Sequence, residues 1–169
     1  MKRWEYVQNK VVTIETASQL RELYRLKNQK TVFTNGCFDL LHLGHVQYLA
    51  QAADLGSKLI VAVNDDASVR SLNKGENRPI NPASARALVL ASLGFVDLVV
   101  VFSSSTPLDV ILALQPDVIV KGGDYNALDT DATSKTYIVG SSEAKSWGGE
   151  TATIPLVDGY STTLLLAKK

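Results

Sequence analysis

Five short runs rich in β-branched residues, separated by stretches with helical spacing, limit what this chain can fold into more than any other feature. The runs are residues 30–34 (KTVFT), 59–63 (LIVAV), 98–102 (LVVVF), 118–121 (VIVK) and 151–154 (TATI). They are near-continuous rather than alternating, as parallel strands covered on both faces require. Between them the apolar period changes. A Thr16/Gln19 pair reads as a capping box ahead of Leu20, Leu23, Tyr24 and Leu26. Residues 45–55 carry Val46, Leu49, Ala50 and Ala53 at helical spacing, Pro82 opens residues 83–93, and Thr106-Pro107 opens residues 108–114. Residues 161–168 read as a short last helix, and the polar stretch 126–149 as a loop with a helix near 142–147. Strands alternating with helices imply βαβ units with right-handed crossovers. The expectation is an α/β fold: a doubly wound (Rossmann-like) parallel sheet of about five strands with helices on both faces. Open sheets of this kind bind ligands beyond the carboxyl ends of their strands. Function is therefore sought after Thr34, Val63, Phe102 and Lys121, and before the last helix.

Composition narrows the class. The 169 residues fit one domain spanning 1–169, long enough to bury a core without staples. Seventeen basic residues balance seventeen acidic ones, which argues against a protein that coats nucleic acid. The single cysteine leaves no intramolecular disulfide framework and suits a reducing compartment. No apolar run approaches the ~18 residues of a membrane span, and the start has no signal-peptide pattern. A cytoplasmic protein is expected, with neither membrane nor nucleic acid as partner.

Residues 34–45 read T-N-G-C-F-D-L-L-H-L-G-H, between the first strand and an apolar helix. Gly36 lets the backbone turn, and Gly44 allows close approach at a helix start whose free N–H groups attract anions. His42 and His45 are three apart, so both face one point. With the Asn35 amide and the Thr34 hydroxyl they make a site for a polyphosphate. Two other readings compete: plain surface histidines, and a zinc site from Cys37, Asp39, His42 and His45. The spacing matches no common structural zinc pattern, and both histidines of the chain fall in this one motif. Catalysis is preferred, and no metal-ligand set is assigned.

Downstream segments add charge and hydroxyls. Asn64-Asp65 follow the second strand, and Lys74, Arg78 and Arg86 can bring cations to phosphate oxygens, though solvated loop residues are the default. Lys121-Gly122-Gly123-Asp124-Tyr125 ends the fourth strand. It is either a tight turn with incidental charges or a contact for phosphate and sugar hydroxyls. Ser161-Thr162-Thr163 offers an N-cap, and the same hydroxyls and N–H groups would suit an anion.

His42-Leu43-Gly44-His45, preceded by Asn35-Gly36-Cys37-Phe38-Asp39, resembles the H-x-G-H signature of the nucleotidylyltransferase superfamily. Together with K-G-x-x-R-P-I-N-P (74–82), V-K-G-G-D-Y (120–125), K-S-W-G-G (145–149) and D-G-Y-S-T-T (158–163), it resembles the D-glycero-β-D-manno-heptose 1-phosphate adenylyltransferases. The resemblance runs from about Lys30 to the C-terminus; residues 126–136 depart from it. It implies transfer of the adenylyl group of ATP to a heptose 1-phosphate, giving ADP-heptose and pyrophosphate for lipopolysaccharide core or related glycans. It further implies a free-standing form without a fused kinase, Mg²⁺ bound mainly through the ATP phosphates, and a homodimer or higher homo-oligomer. It gives catalytic roles to His42, His45 and Lys74. Nucleotide and phosphate binding falls to Thr34, Asn35, Gly36, Phe38, Gly44, Arg78, Arg86, Lys121, Gly122, Ser161, Thr162 and Thr163. The sugar phosphate would face Asp39, Asn64, Asp65, Gly123, Asp124 and Tyr125. One alternative is a cytidylyltransferase acting on glycerol 3-phosphate or a similar small alcohol phosphate, against which K-G-G-D-Y weighs. The other is a nucleotide-binding regulatory module without turnover, against which the intact His pair, Lys74, Arg78 and S-T-T weigh.

Overall fold

The computed structural model describes residues 2–72 and 78–167. Five strands, β1 (Thr31–Gly36), β2 (Lys58–Asn64), β3 (Leu98–Phe102), β4 (Val118–Gly122) and β5 (Glu150–Ile154), form one sheet in the order β3-β2-β1-β4-β5. Every pairing is parallel. The helices are α1 (Arg3–Gln8), α2 (Ile14–Leu26), α3 (Leu43–Ala53), α4 (Asp66–Ser71), α5 (Ala83–Ala91), α6 (Leu108–Leu114), α7 (Ser141–Ala144) and α8 (Thr162–Ala167); α7 continues into a 3₁₀ turn, Lys145–Trp147.

The near-continuous apolar runs are explained by burial on both faces. Val32, Val61 and Val63 pack with Leu49 and Ala52 of α3 and with Ala87 and Leu90 of α5. Their neighbours Phe33, Ile60 and Ala62 point the other way, against Ala17 of α2, Val110 and Ile111 of α6, and Ala144 of α7. The sheet is doubly wound, as the alternation of elements predicts.

The start of α2 differs from expectation. Its cap is Thr13, whose Oγ1 accepts from Thr16 N–H at 3.1 Å, three residues ahead of the predicted box. The cause lies upstream: Val99 N–H donates to Lys10 C=O and Val12 N–H to Val99 C=O, so residues 10–12 cover the edge of β3. That pairing delivers Thr13 extended, ready to cap. The helices α1 and α4 have no counterpart in the sequence reading; six residues are too few to show a period. None of the described helices is long and apolar enough to cross a membrane.

The sheet also shows where a ligand can enter. β1 pairs with β2 over six residues but with β4 only through Val32↔Val118 and Phe33↔Ile119. Beyond that point the Tyr48 side chain of α3 lies between the strands. Its hydroxyl donates to Val120 C=O at 3.0 Å, and the Thr34 hydroxyl donates to it at 2.7 Å, since the tyrosine's one proton is already committed. β1 and β4 are also where the strand order reverses direction, the place an open α/β sheet offers for a ligand.

Candidate active site

A cleft of about 580 Å³ opens at the carboxyl ends of β1 and β4. The chain leaves β1 through Phe38, whose φ of 47° takes the left-handed region, so the sharp turn sits there and not at Gly36. Gly36 serves by making room: a Cβ would lie 3.1 Å from the Phe38 ring. The ring in turn meets His45 edge-on, with centroids 5.2 Å apart.

His42 occupies the N-cap position of α3 and His45 lies in its first turn. The two rings stack at 3.8 Å with 21° between their planes. Gly44 permits this, because a Cβ there would meet His42 Nδ1 at 3.1 Å and Tyr160 Cβ at 3.3 Å. Burial lowers the pKa of both rings, and for His45 the neighbouring imidazole adds to it while the nearby Leu40 backbone opposes it, leaving His45 at about 4. Both are neutral at pH 7 in the free protein. Among the described residues neither buried Nδ1 atom has a hydrogen-bond partner, and orphaned atoms of this kind call for a functional explanation.

A stability consequence follows. An unfolded histidine takes its proton near pH 6.5, whereas folded His45 resists protonation to about pH 4. Its contribution is therefore complete above pH 6.5 and is lost as pH falls from 6.5 towards 4. The shift corresponds to roughly 1–2 kcal/mol after discounting for the partly exposed ring. Melting curves from pH 7.5 to 4.5 should show wild type losing more stability than His45→Gln; equal losses would refute this.

On the β4 side, extending the Phe33↔Ile119 register by two residues sets Lys121 beside Asn35. Lys121 Nζ donates to Asn35 Oδ1 at 2.6 Å and lies 5.1 Å from the Tyr125 ring centroid. Gly122, Asp124 and Tyr125 continue this wall, and Leu156, Val157 and Tyr160 close it beyond β5. Ser161 and Thr162 reach the cleft at the start of α8, and the Ser161 carbonyl accepts from Leu165 N–H as an N-cap residue should. Across the cleft stand Asn64 at the end of β2 and Arg78.

Five predicted site residues are employed elsewhere, among them Asp39, expected to face the sugar phosphate but directed to residues 78–81. Thr34 is fully buried and bonded to Tyr48. Asp65 caps α4, accepting from Ser68 N–H. Gly123 packs against the chain leaving β5, where a Cβ would lie 3.2 Å from Pro155 Cα. Arg86 is 2% exposed and donates to Asn81 C=O, Cys37 C=O and Asp66 Oδ1, so its guanidinium is spent on three protein acceptors. A predicted phosphate ligand is thus a structural clamp. Lys74 lies outside the described residues, as does the side chain of Thr163. The competing zinc set is dispersed: Cys37 Sγ faces Asn64, and the Asp39 carboxylate is directed to the 78–81 segment. The K-S-W-G-G segment is structural, with Trp147 Nε1–H donating to Pro116 C=O.

Tyr48, Ser105, Thr106 and Pro107 also line the cleft. The last three follow β3, so the strand-end rule pointed to them. Tyr48 reads as core in any helical pattern.

The chain matches the model of a family described as cytidylyltransferase-like over residues 33–165. It is 54% identical over 137 residues to the D-beta-D-heptose 1-phosphate adenylyltransferase of Bordetella bronchiseptica, covering 81% of this chain and 80% of that one. It is 47% identical over 161 residues to the bifunctional protein HldE of Koribacter versatilis, covering 95% of this chain but 31% of that protein. The chain therefore spans about a third of the length of such bifunctional relatives. Among solved structures it resembles a lipopolysaccharide core biosynthesis protein from Thermoplasma volcanium, with a TM-score of 0.59 and 26% identity over 79% of this chain and 99% of that one. A pantoate-beta-alanine ligase from Francisella tularensis shares the fold at a TM-score of 0.59 and 16% identity, over 86% of this chain and 66% of that one.

Proposed function

The chain belongs to the cytidylyltransferase-like family of nucleotidyltransferases, and from that premise we propose that it transfers the adenylyl group of ATP to a heptose 1-phosphate. The observation that carries the reaction class is the stacked, neutral His42–His45 pair at the start of α3, sharing one cleft with Lys121, Arg78 and Ser161. The similarity to the Bordetella bronchiseptica enzyme, across four-fifths of both chains, supports the substrate.

In this reading an oxygen of the sugar phosphate attacks the α-phosphorus in line with departing pyrophosphate, and no enzyme nucleophile is required. Catalysis then rests on positioning and on stabilising redistributed charge. The histidines donate to phosphate oxygens, Lys121 and Arg78 supply cations, and Asn35, Gly36, Phe38, Gly44, Gly122, Ser161 and Thr162 shape the nucleotide's bed. Asn64, Asp124 and Tyr125 are left for the sugar phosphate. Mg²⁺ would be held chiefly by the triphosphate; Asp124 is the cleft carboxylate suited to support it, Asp39 being spent on amides and Arg78. A cytoplasmic homodimer or higher homo-oligomer is the corresponding cellular form.

Purified protein should release pyrophosphate from ATP and a heptose 1-phosphate, with Mg²⁺, more than about tenfold faster than from CTP and glycerol 3-phosphate. A tenfold ratio is only ~1.4 kcal/mol of transition-state discrimination, well within reach of a base-selective pocket. Equal or faster turnover with the CTP pair would replace the heptose assignment by the cytidylyltransferase. Nucleotide binding without pyrophosphate release from either pair would point to a regulatory module.

A further inference from the structure

Asp39 belongs to the signature loop, yet its side chain is fully buried. Its carboxylate faces inward, towards residues 78–81. Oδ1 accepts from Ile80 N–H at 2.8 Å and Asn81 N–H at 3.1 Å, while Oδ2 lies 2.6 Å from Arg78 Nε as an ion pair without hydrogen-bond alignment. The Asp39 carbonyl accepts from Asn81 Nδ2 at 3.0 Å. Arg86 grips the same segment from its other end through Asn81 C=O, and reaches back to Cys37 C=O. The chain entering α5 is thereby tied to the turn that carries the histidines. Arg78 is the member of this segment that lines the cleft.

A carboxylate with no exposed surface and this set of donors has nothing left to offer a sugar hydroxyl. We infer that Asp39 is a positioning residue: its buried charge holds the Arg78 guanidinium in an ion pair on its Nε side, so that the remaining guanidinium donors meet the ATP phosphates. The inference rests on the cleft binding ATP, as proposed above. Arginine is suited to such a post because its donors form a rigid planar fork, so holding one edge aims the others. Lysine in its place would keep the charge but lose the edge by which it is held.

A double-mutant cycle tests this, read both as ATP affinity by calorimetry and as kcat/KM for pyrophosphate release. Asp39→Asn and Arg78→Ala should each weaken ATP binding roughly ten- to hundredfold, the range for a lost charge-assisted contact. The double variant should fall within about twofold of Arg78→Ala alone, because Asp39 acts on ATP only through Arg78 and its bonds to the Ile80 and Asn81 amides touch no phosphate. Multiplying losses would overturn the inference, as they would mean that Asp39 contacts substrate itself or merely supports the fold. Arg78→Lys leaves Asp39 intact and remains informative if Asp39→Asn does not fold: a loss close to that of Arg78→Ala is expected, and near-wild-type affinity would overturn the positioning role. Wild type that binds ATP without turning over heptose 1-phosphate would refute the proposed function while leaving the cycle readable. Wild type that binds no ATP would refute both.

Discussion

Replacing His45 by alanine should lower kcat by about 10²–10³-fold while ATP affinity changes only a few-fold. The magnitude is that of removing one preorganised donor from a site where charge develops. The asymmetry between kcat and affinity follows because the leaving pyrophosphate gains charge only as the bond breaks, so the contact tightens most in the transition state. The geometry adds a reason for both histidines to matter. Their rings stack at 3.8 Å, and the Phe38 ring meets His45 edge-on at 5.2 Å. His42→Ala therefore removes a donor and also one wall of the His45 slot. It should cost at least as much in kcat as a single donor, with the two losses failing to multiply in the double variant. Neither change should unfold the protein, since both rings line the cleft and lie outside the two packed faces of the sheet. The measurements are steady-state kinetics, ATP titration and melting of both variants. Loss of ATP binding equal to the loss of kcat would show that the pair holds the ground state only. A zinc-bearing protein that melts early on chelation would replace catalysis by a structural metal site.

The parts of this architecture legible in the sequence were those set by burial. A strand covered on both faces must be apolar on both, so the five runs announced themselves and the alternating helices placed them in parallel. The strand-end rule then located the cleft. What escaped was fixed by contacts between distant segments. Nothing near Arg86 distinguishes a phosphate ligand from a clamp; the difference is made by Cys37 C=O and Asp66, 49 and 20 residues away in sequence. Thr34 and Tyr48 likewise became partners only because β1 and β4 part company after two paired residues. Thr13 was missed as a cap because its extended backbone is set by an edge pairing with β3. At Phe38 the surprise was local: a bulky residue took the left-handed conformation, and the glycine two places earlier serves its ring. In each case the sequence showed the chemistry a side chain could supply, and the fold decided whether a protein partner claimed it first.

Lys121 tests that distinction, because it is 8% exposed, donates to Asn35 and lies against the Tyr125 ring, yet lines the cleft. Were it a clamp like Arg86, its removal would cost stability and touch catalysis only through the fold. The difference lies in their placement. Arg86 does not line the cleft and is held by two backbone carbonyls and a carboxylate, whereas Lys121 stands on the cleft wall at the end of β4, beside Asn35 and Tyr125. A side chain at a strand end on the cleft wall supports little of the packed core, so its removal costs mainly the hydrogen bond to Asn35. Net stability should therefore shift by no more than about 1 kcal/mol in Lys121→Ala. A contact between the ammonium and an incoming polyphosphate is worth ~1.5–3 kcal/mol. Lys121→Ala should lose roughly 10- to 150-fold in kcat/KM. Lys121→Met separates the two contributions, since it keeps an apolar stem beside Tyr125 and removes the charge. It should match the alanine variant in kinetics and stay within a few degrees of wild type in melting temperature. Wild-type kcat/KM in the methionine variant, or a melting temperature that falls with that of alanine, would mean that Lys121 braces the strand end and leaves the phosphates to others.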